Sequence, residues 1–113
     1  MKRGEIYYAD LNPTVGSEIN KQRPVLIISN NANNRVSSTI TVLPITSNVS
    51  KIYPFEVFLS MNESGLQKDS KVQCHQIRTI DRKRLKTGCI GNITKVHLIS
   101  AIETALKLHL SID

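Results

Sequence analysis

The alternation of apolar and polar positions along this chain predicts six short strands and a closing helix. The plainest strand is Gln22 to Asn30, where Val25-Leu26-Ile27-Ile28 is an unbroken apolar run of β-prone residues, the pattern of a strand buried on both faces. Pro24 has no N–H and is tolerated at a strand's start or edge, and it forces Arg23 into extended backbone, so a guanidinium is expected at the strand mouth. Thr39 to Leu43 reads as a second buried strand, running into Pro44-Ile45-Thr46-Ser47 and bringing a hydroxyl to its end. Glu5 to Asp10 reads as the first strand, closed by a turn at Asn12-Pro13. Pro54 to Leu59 alternates, with Phe55, Val57 and Leu59 on one face. Ser70 to Ile77 is expected to be one continuous strand, so that Cys74, Gln76 and Arg78 share a face and Gln73, His75 and Ile77 the other. Cys89 to Ile93 reads as the last strand.

Thr94 is the expected cap of a helix running to about Leu110, since its hydroxyl can accept from the first free amides. Val96, Ile99, Ile102, Leu106 and Leu110 form one stripe, and Leu98, Ala101, Ala105 and Leu108 widen it until the helix must bury two sides. One side is expected on the barrel and the other on a second subunit. Between the strands, Asn12 to Gln22 is a loop able to cover a site, Asn30 to Ser38 a connection with one helical turn, Ser60 to Asp69 a turn region, and Asp81 to Lys86 a basic turn or short helix. Short strands joined by turns and closed by one helix give a mainly β fold, a small antiparallel barrel forming a single domain over residues 1–113.

Composition changes the picture in two ways. Fifteen Lys and Arg against nine Asp and Glu leave a formal charge of +6, which favours a polyanionic partner, although many small domains carry such a charge for solubility alone. No apolar stretch approaches the roughly 20 residues that span a bilayer, and Met1-Lys2-Arg3-Gly4 is not followed by an apolar signal core, so a cytoplasmic protein without membrane contact is expected. Cys74 and Cys89 form no C-x-x-C pair and fit a reducing compartment. Cys74, His75, Cys89, His97 and His109 match no usual zinc spacing, and metal is set aside.

The candidate chemistry lies where the two buried strands end. Arg23 and Thr46, joined by Gln76 and Arg78, are groups that can stabilise charge at a phosphorus and bond its non-bridging oxygens. The ordinary reading is that Arg23 pairs with Glu18 or Asp10 and Thr46 closes a turn, and composition alone favours it. Gly16-Ser17-Glu18 offers amides, a hydroxyl and a carboxylate to a phosphate or base edge, with a solvated turn as the alternative. Arg78, Arg82, Lys83, Arg84 and Lys86 can track a phosphate backbone, and Lys21 adds a cation beside Arg23. His75 titrates near neutrality, but the alternation turns it away from Gln76 and makes it structural.

Lys2-Arg3-Gly4-Glu5-Ile6-Tyr7, Gly16-Ser17-Glu18, Gln22-Arg23-Pro24-Val25-Leu26-Ile27, Pro44-Ile45-Thr46, Gln76-Ile77-Arg78-Thr79-Ile80-Asp81 and Arg84-Leu85 together resemble the MazF/PemK-type toxins of bacterial toxin–antitoxin pairs, in family order across nearly the whole chain. The resemblance implies an SH3-like barrel, a homodimer, and a sequence-specific endoribonuclease that cuts single-stranded RNA, chiefly mRNA, with no metal or other cofactor. It implies Arg23 and Thr46 as catalytic residues, with Ser17, Glu18, Gln76 and Arg78 along the RNA groove, and a cognate MazE-type antitoxin whose acidic tail competes for that groove. Because a guanidinium keeps its proton, Arg23 suits charge stabilisation better than proton transfer. His75 stands where family members often carry an acidic residue, which bears on base preference. A gyrase-binding toxin of the CcdB type is similar in fold but carries a tryptophan near its C-terminus, and this chain has none. A catalytically inactive barrel that binds a protein partner is the third reading, against which intact Arg23 and Thr46 argue.

Overall fold

The computed structural model describes residues 1–18, 22–86 and 88–113. Among them seven strands build one curled antiparallel sheet: β1 (Glu5–Asp10), β2 (Gln22–Ile27), β3 (Thr39–Thr46), β4 (Glu56–Leu59), β5 (Ser70–Gln73), β6 (Arg78–Asp81) and β7 (Gly91–Asn92). Three helices join them: α1 (Asn31–Val36), α2 (Met61–Ser64) and α3 (Val96–Leu110). The strand order is β4-β5-β3-β2-β1-β7, with β6 also on β3. A bridge from Ala9 to Leu85 and a hydrogen bond from the Lys86 amide to Tyr8 O bring the chain after β6 back to β1 and close the barrel.

β3 is the strand on which this architecture turns. One edge pairs with β2, while the other pairs first with β6 through Thr39–Val42 and then with β5 through Ile45 and Thr46. Val42 faces Arg78 and Ile45 faces Val72, so three steps on β3 are matched by six on its partners. A 3-10 turn at Cys74–Gln76 takes up the surplus. The strand expected from Ser70 to Ile77 therefore stops at Gln73 and turns, a further strand that the sequence pattern did not indicate, β6, begins beyond it at Arg78, and the face assignment of Gln76 and Arg78 by simple alternation does not hold. The basic stretch divides likewise, with Asp81 ending β6 and Arg82–Arg84 forming a 3-10 turn.

Alternation sorts the apolar side chains into two cores, one on each face of the sheet. Ile6, Leu26, Leu43, Ile45, Val57, Leu59 and Val72 meet Leu98, Ile102 and Ala105 of α3 on one face. Ala9, Val25, Ile27, Ile40, Val42 and Ile80 fill the barrel interior on the other, with Leu11 and Leu85. This is why Val25, Leu26 and Ile27 are all buried although neighbours on a strand point in opposite directions. Burying each such side chain contributes about 1.5–3 kcal/mol.

Local chemistry fixes the smaller elements. α1 is capped by the Asn30 side chain, which accepts from the Asn33 amide at 2.8 Å, and buried Asn34 donates to Ser29 O, so this connection is structural. α3 begins one residue later than expected: Lys95, not Thr94, is the N-cap and makes no side-chain cap bond. The helix ends at Ser111, whose left-handed backbone (φ 57°) lets the Ile112 amide reach Lys107 O. The strand expected from Cys89 to Ile93 shortens to Gly91–Asn92, where a Cβ on Gly91 would stand 2.5 Å from Ser64 O. Phe55 lies just ahead of β4, outside both cores, while Val57 and Leu59 point into the first.

Candidate active site

The site follows from strand register. The β2–β3 ladder ends at Val25 opposite Pro44, and carrying its antiparallel register two residues further would bring Arg23 level with Thr46. Both occupy positions in phase with Val25 and Pro44, so both belong to the barrel-interior face at the point where its apolar filling stops. β5 extends the row, because Thr46 pairs with Lys71, and β4 completes it, because Lys71 pairs with Phe58. Thr46, Lys71 and Phe58 thus stand in line across three strands, a span of about 10 Å at ordinary strand spacing, and Arg23 falls on the extension of that row. The parallel row on β5 and β4 is Gln73 with Glu56.

Of the residues singled out in the sequence, Arg23 is half-buried on β2 and pairs in register with Ala9 of β1. The Thr46 hydroxyl oxygen accepts from the Asn48 amide at 3.3 Å. Ser17 and Glu18 are exposed: the Glu18 carboxylate accepts from the Val15 amide at 2.9 Å and closes its own turn, while Ser17 O receives the Gln76 side-chain amide at 3.5 Å. Gln76 therefore does meet the Ser17 loop, but from the 3-10 turn and not from a strand. Arg78 pairs with Val42 and donates from Nη1 to Leu11 O at 3.1 Å. Lys21 lies outside the described residues.

The basic cluster divides by role. Arg84 donates to Asp10 O at 3.1 Å and also to Asn12 O, and Arg82 donates to Asn34 O at 2.5 Å. With Arg78 on Leu11 O, two guanidiniums hold three successive carbonyls at the end of β1, where the loop toward Ser17 begins. Charge-assisted bonds of this kind are worth about 1.5–3 kcal/mol each, so these arginines position the loop. Lys83 and Lys86 remain exposed.

Sequence reading missed a buried ionic cluster beside Thr46. Lys71 Nζ donates to Glu56 Oε1 at 3.0 Å and to Lys51 O at 2.6 Å, and the Gln73 side-chain amide donates to Glu56 Oε2 at 3.3 Å. Burial alone would raise the Glu56 carboxyl, but bonds from the Tyr53 amide, Lys71 and Gln73, with the Lys71 charge, hold it below the usual carboxylate range. The signal was a Glu and a Lys at positions alternating with Val57 and Val72, since a charge on a half-buried strand has to find its partner across the ladder. His75, held neutral chiefly by burial, packs its ring 4.3 Å from that of Phe55. Cys74 is fully buried and its thiol is pushed up to about 12 by burial and then by Glu56, which makes it unreactive.

A cleft of about 500 Å³ lies between Tyr8, Arg23, Pro24, Leu66, Lys68 and Ile90. Its other walls include Ile45 and Ser47, which alternate with Thr46, so it adjoins Arg23 from the opposite face and does not take in the hydroxyl. Among the described residues no three His, Cys, Asp or Glu side chains are grouped to hold a metal ion, and no helix is long and apolar enough to cross a membrane.

Comparison with known proteins gives the family and the fold of nearly the whole chain. The family of PemK-like, MazF-like toxins of type II toxin–antitoxin systems matches residues 2–110. Endoribonuclease MazF9 of Mycobacterium tuberculosis is 45% identical over 117 residues, covering 99% of this chain and 98% of its own, and Endoribonuclease EndoA of Bacillus subtilis is 39% identical, covering 99% and 96%. An endoribonuclease solved in complex with its cognate antitoxin, from a mycobacterial species, superposes with a TM-score of 0.81 at 26% identity, covering 100% of this chain and 97% of its own. MazF from Deinococcus radiodurans, at 24% identity and a TM-score of 0.83 over 98% of this chain and 96% of its own, shares the fold. The chain belongs to the PemK-like, MazF-like toxins of type II toxin–antitoxin systems.

Proposed function

We propose that this toxin is an endoribonuclease that cuts single-stranded RNA by driving the substrate's own 2′-hydroxyl onto the adjacent phosphorus. The observation that supports the reading is that the β2–β3 ladder ends at Val25 and Pro44, two residues short of Arg23 and Thr46 in the same phase, with Lys71 opposite Thr46. As the 2′-oxygen bonds to phosphorus and the 5′-oxygen leaves, negative charge grows on the non-bridging oxygens. A guanidinium and a hydroxyl on neighbouring strands are placed to receive it. Arg23 supplies charge and two parallel donors, Thr46 a third donor, and the held loop at Ser17 and Glu18, with Gln76 of the 3-10 turn and Arg78, lines the approach. The products are a 2′,3′-cyclic phosphate and a 5′-hydroxyl, the proton given up by the 2′-oxygen being balanced by the one the departing 5′-oxygen takes up, and no metal takes part. The relatives named endoribonucleases support the activity, and the neighbour solved with its antitoxin supports a cognate inhibitor, whose acidic tail would meet the same cations. The exposed apolar residues of α3 and beyond, Val96, Ile99, Leu108, Leu110 and Ile112, support a homodimer, and the charge and family support a cytoplasmic site of action on mRNA. The test uses an oligonucleotide carrying a 2′-deoxy residue just upstream of a mapped cut: it should resist, and chelator should leave cleavage of the all-ribose oligonucleotide unchanged. Cutting of the deoxy substrate would overturn the mechanism.

A further inference from the structure

On the far side of Lys71 from Thr46 lies a stack of rings that the reaction as described does not use. Tyr53 and Phe55 are parallel within 9° at 5.4 Å between centroids, and Phe55 is followed by His75 at 4.3 Å. Lys51 Nζ sits 4.9 Å from the centre of the Tyr53 ring and Lys71 Nζ 6.0 Å from it. The stack is held from beneath. Glu56 accepts from the Tyr53 amide at 3.1 Å, and Lys71, tied to the same carboxylate, also bonds Lys51 O. The segment carrying the rings is thus fixed at both ends by the buried ion pair whose lysine stands opposite Thr46.

Three features say what such a platform receives. Tyr53 is 42% exposed and Phe58, in line with Thr46, is 43% exposed, so flat apolar surface faces outward next to the candidate catalytic pair. Cations border the rings, whereas an interface with a second copy gains from apolar neighbours. Among the described residues, Gln73 Oε1 and His75 Nδ1 are buried without a hydrogen-bond partner in the same cluster. The Gln73 orientation is fixed, because ionised Glu56 only accepts and so takes the amide N–H, leaving the oxygen as the unmet atom.

We propose that Tyr53, backed by Phe55 and His75, is the stacking platform for a base of the RNA flanking the scissile phosphate, and that it contributes to choosing where the RNA is cut. The proposal rests on the reading of Arg23 and Thr46 as the site of cleavage. Every base has a π face, so a ring already aligned and pinned by Glu56 and Lys71 accepts one at little ordering cost, and exposed Lys51 meets a neighbouring phosphate.

The test uses the full chain and a single-stranded RNA carrying a mapped cut site, made uncleavable by one 2′-deoxy residue, with each flanking base removed in turn. Wild type should lose about 5- to 150-fold in affinity when one particular flanking base is removed. Tyr53→Ala should lose a similar factor on the intact RNA and be indifferent to removal of that base, while Tyr53→Phe, which keeps the ring, should bind like wild type. The platform is overturned if Tyr53→Ala binds the intact RNA as wild type does, if it keeps the wild-type sensitivity to the missing base, or if its main effect is a change of mass by light scattering, which would make the rings a subunit contact. Each of those outcomes leaves the parent reading standing so long as wild type cuts the all-ribose RNA and Arg23→Ala does not. Failure of wild type to cut any single-stranded RNA would fell both.

Discussion

On the side away from α3 the sheet has two halves that obey the same alternation and end differently. Across β1, β2, β6 and the first part of β3 the positions in phase with Val25 hold Ala9, Ile27, Ile40, Val42 and Ile80, and the barrel closes over them. Beyond Pro44 the same phase brings Thr46, then Lys71 and Gln73 on β5 and Glu56 and Phe58 on β4. Neither the strand nor its direction changes between the halves. What changes is the partner: the 3-10 turn at Cys74–Gln76 moves the pairing of β3 from β6 to β5, and the barrel opens where the exchange occurs. A continuous strand can therefore carry a packed core on one stretch and the polar groups of a site on the next, with register holding both in place.

The sharpest way to separate the halves is to remove the chemistry without touching the core. Arg23→Ala and Thr46→Ala should each reduce cleavage by about 10³-fold or more. Both side chains stand at the open end, so the thermal midpoint should shift by no more than a few degrees. Mapped RNA cleavage read beside circular dichroism checks both halves of that statement, and a folded Arg23→Ala protein with wild-type activity would remove the site from this face.

The boundary between the halves should be the most sensitive point for stability. Replacing Glu56 by Gln leaves Lys71 nearly buried without its countercharge, and breaking a buried pair from one side costs about 3–5 kcal/mol. Denaturant unfolding should show that loss. The double replacement Glu56→Leu with Lys71→Met should recover most of the stability and lower the activity, since it removes a cation from the row of Thr46. Full activity in the double variant would show that Lys71 serves the fold alone.

In the closed half, Ile40→Val removes one methylene from the interior and should cost about 0.5–1.5 kcal/mol with cleavage per folded molecule unchanged. A change in cut position with this substitution would mean that the two halves are coupled through β3.

The two halves also differ in how far they could be read in advance. Most of the closed half was legible, because Val25-Leu26-Ile27 and Ile40-Thr41-Val42-Leu43 state their burial locally and Pro24 and Pro44 mark where each strand admits no N–H, whereas β6 holds one apolar residue, Ile80, too sparse a pattern to read, and is a strand only through its pairing with β3. Arg23 and Thr46 were legible as strand ends, yet their juxtaposition depends on a register between β2 and β3 that no local pattern contains. The break at Cys74–Gln76 was illegible for a different reason. Ser70 to Cys74 alternates as a strand, and the change of phase at Gln76-Ile77 gains its meaning only from the need of one edge of β3 to serve two partners. The Glu56–Lys71 pair was hidden because its members lie 15 residues apart and each alone looks like a solvated strand position. The missing cap at Thr94 reflects competition of a simpler kind: Lys95 carbonyl bonds to the Leu98 and Ile99 amides start α3 one residue later, and packing of Leu98 and Ile102 suffices without a side-chain cap.

Acid should distinguish the halves by the smallest effect, and its sign is fixed by the groups that face the ring stack. His75 meets the Phe55 ring on one side, with Glu56, Lys71 and His109 as its charged or titratable surroundings. Burial, aided by His109 and Lys71 and opposed by Glu56, keeps its folded pKa below the ordinary 6.5. The unfolded chain therefore takes up a proton near 6.5 that the folded chain still refuses, and proton uptake favours unfolding from there downward. The contribution is complete above 6.5 and gone once the pH has fallen through the folded value. Glu56 acts in the same direction lower down, since its folded pKa lies below 4.5 and the bonds it accepts weaken as it protonates. The thermal midpoint should thus be level from 6.5 to about 8, below the range where ionisation of the unfolded chain's Cys74 thiol favours unfolding, and decline in two stages as the solution is acidified. His75→Phe should remove the upper stage and leave the lower, and Glu56→Gln the reverse. A midpoint that rises on acidification from pH 7 to 5.5 would mean that His75 is stabilised as a cation, with Glu56 as its partner, and the assignment of Glu56 to Lys71 would have to be withdrawn.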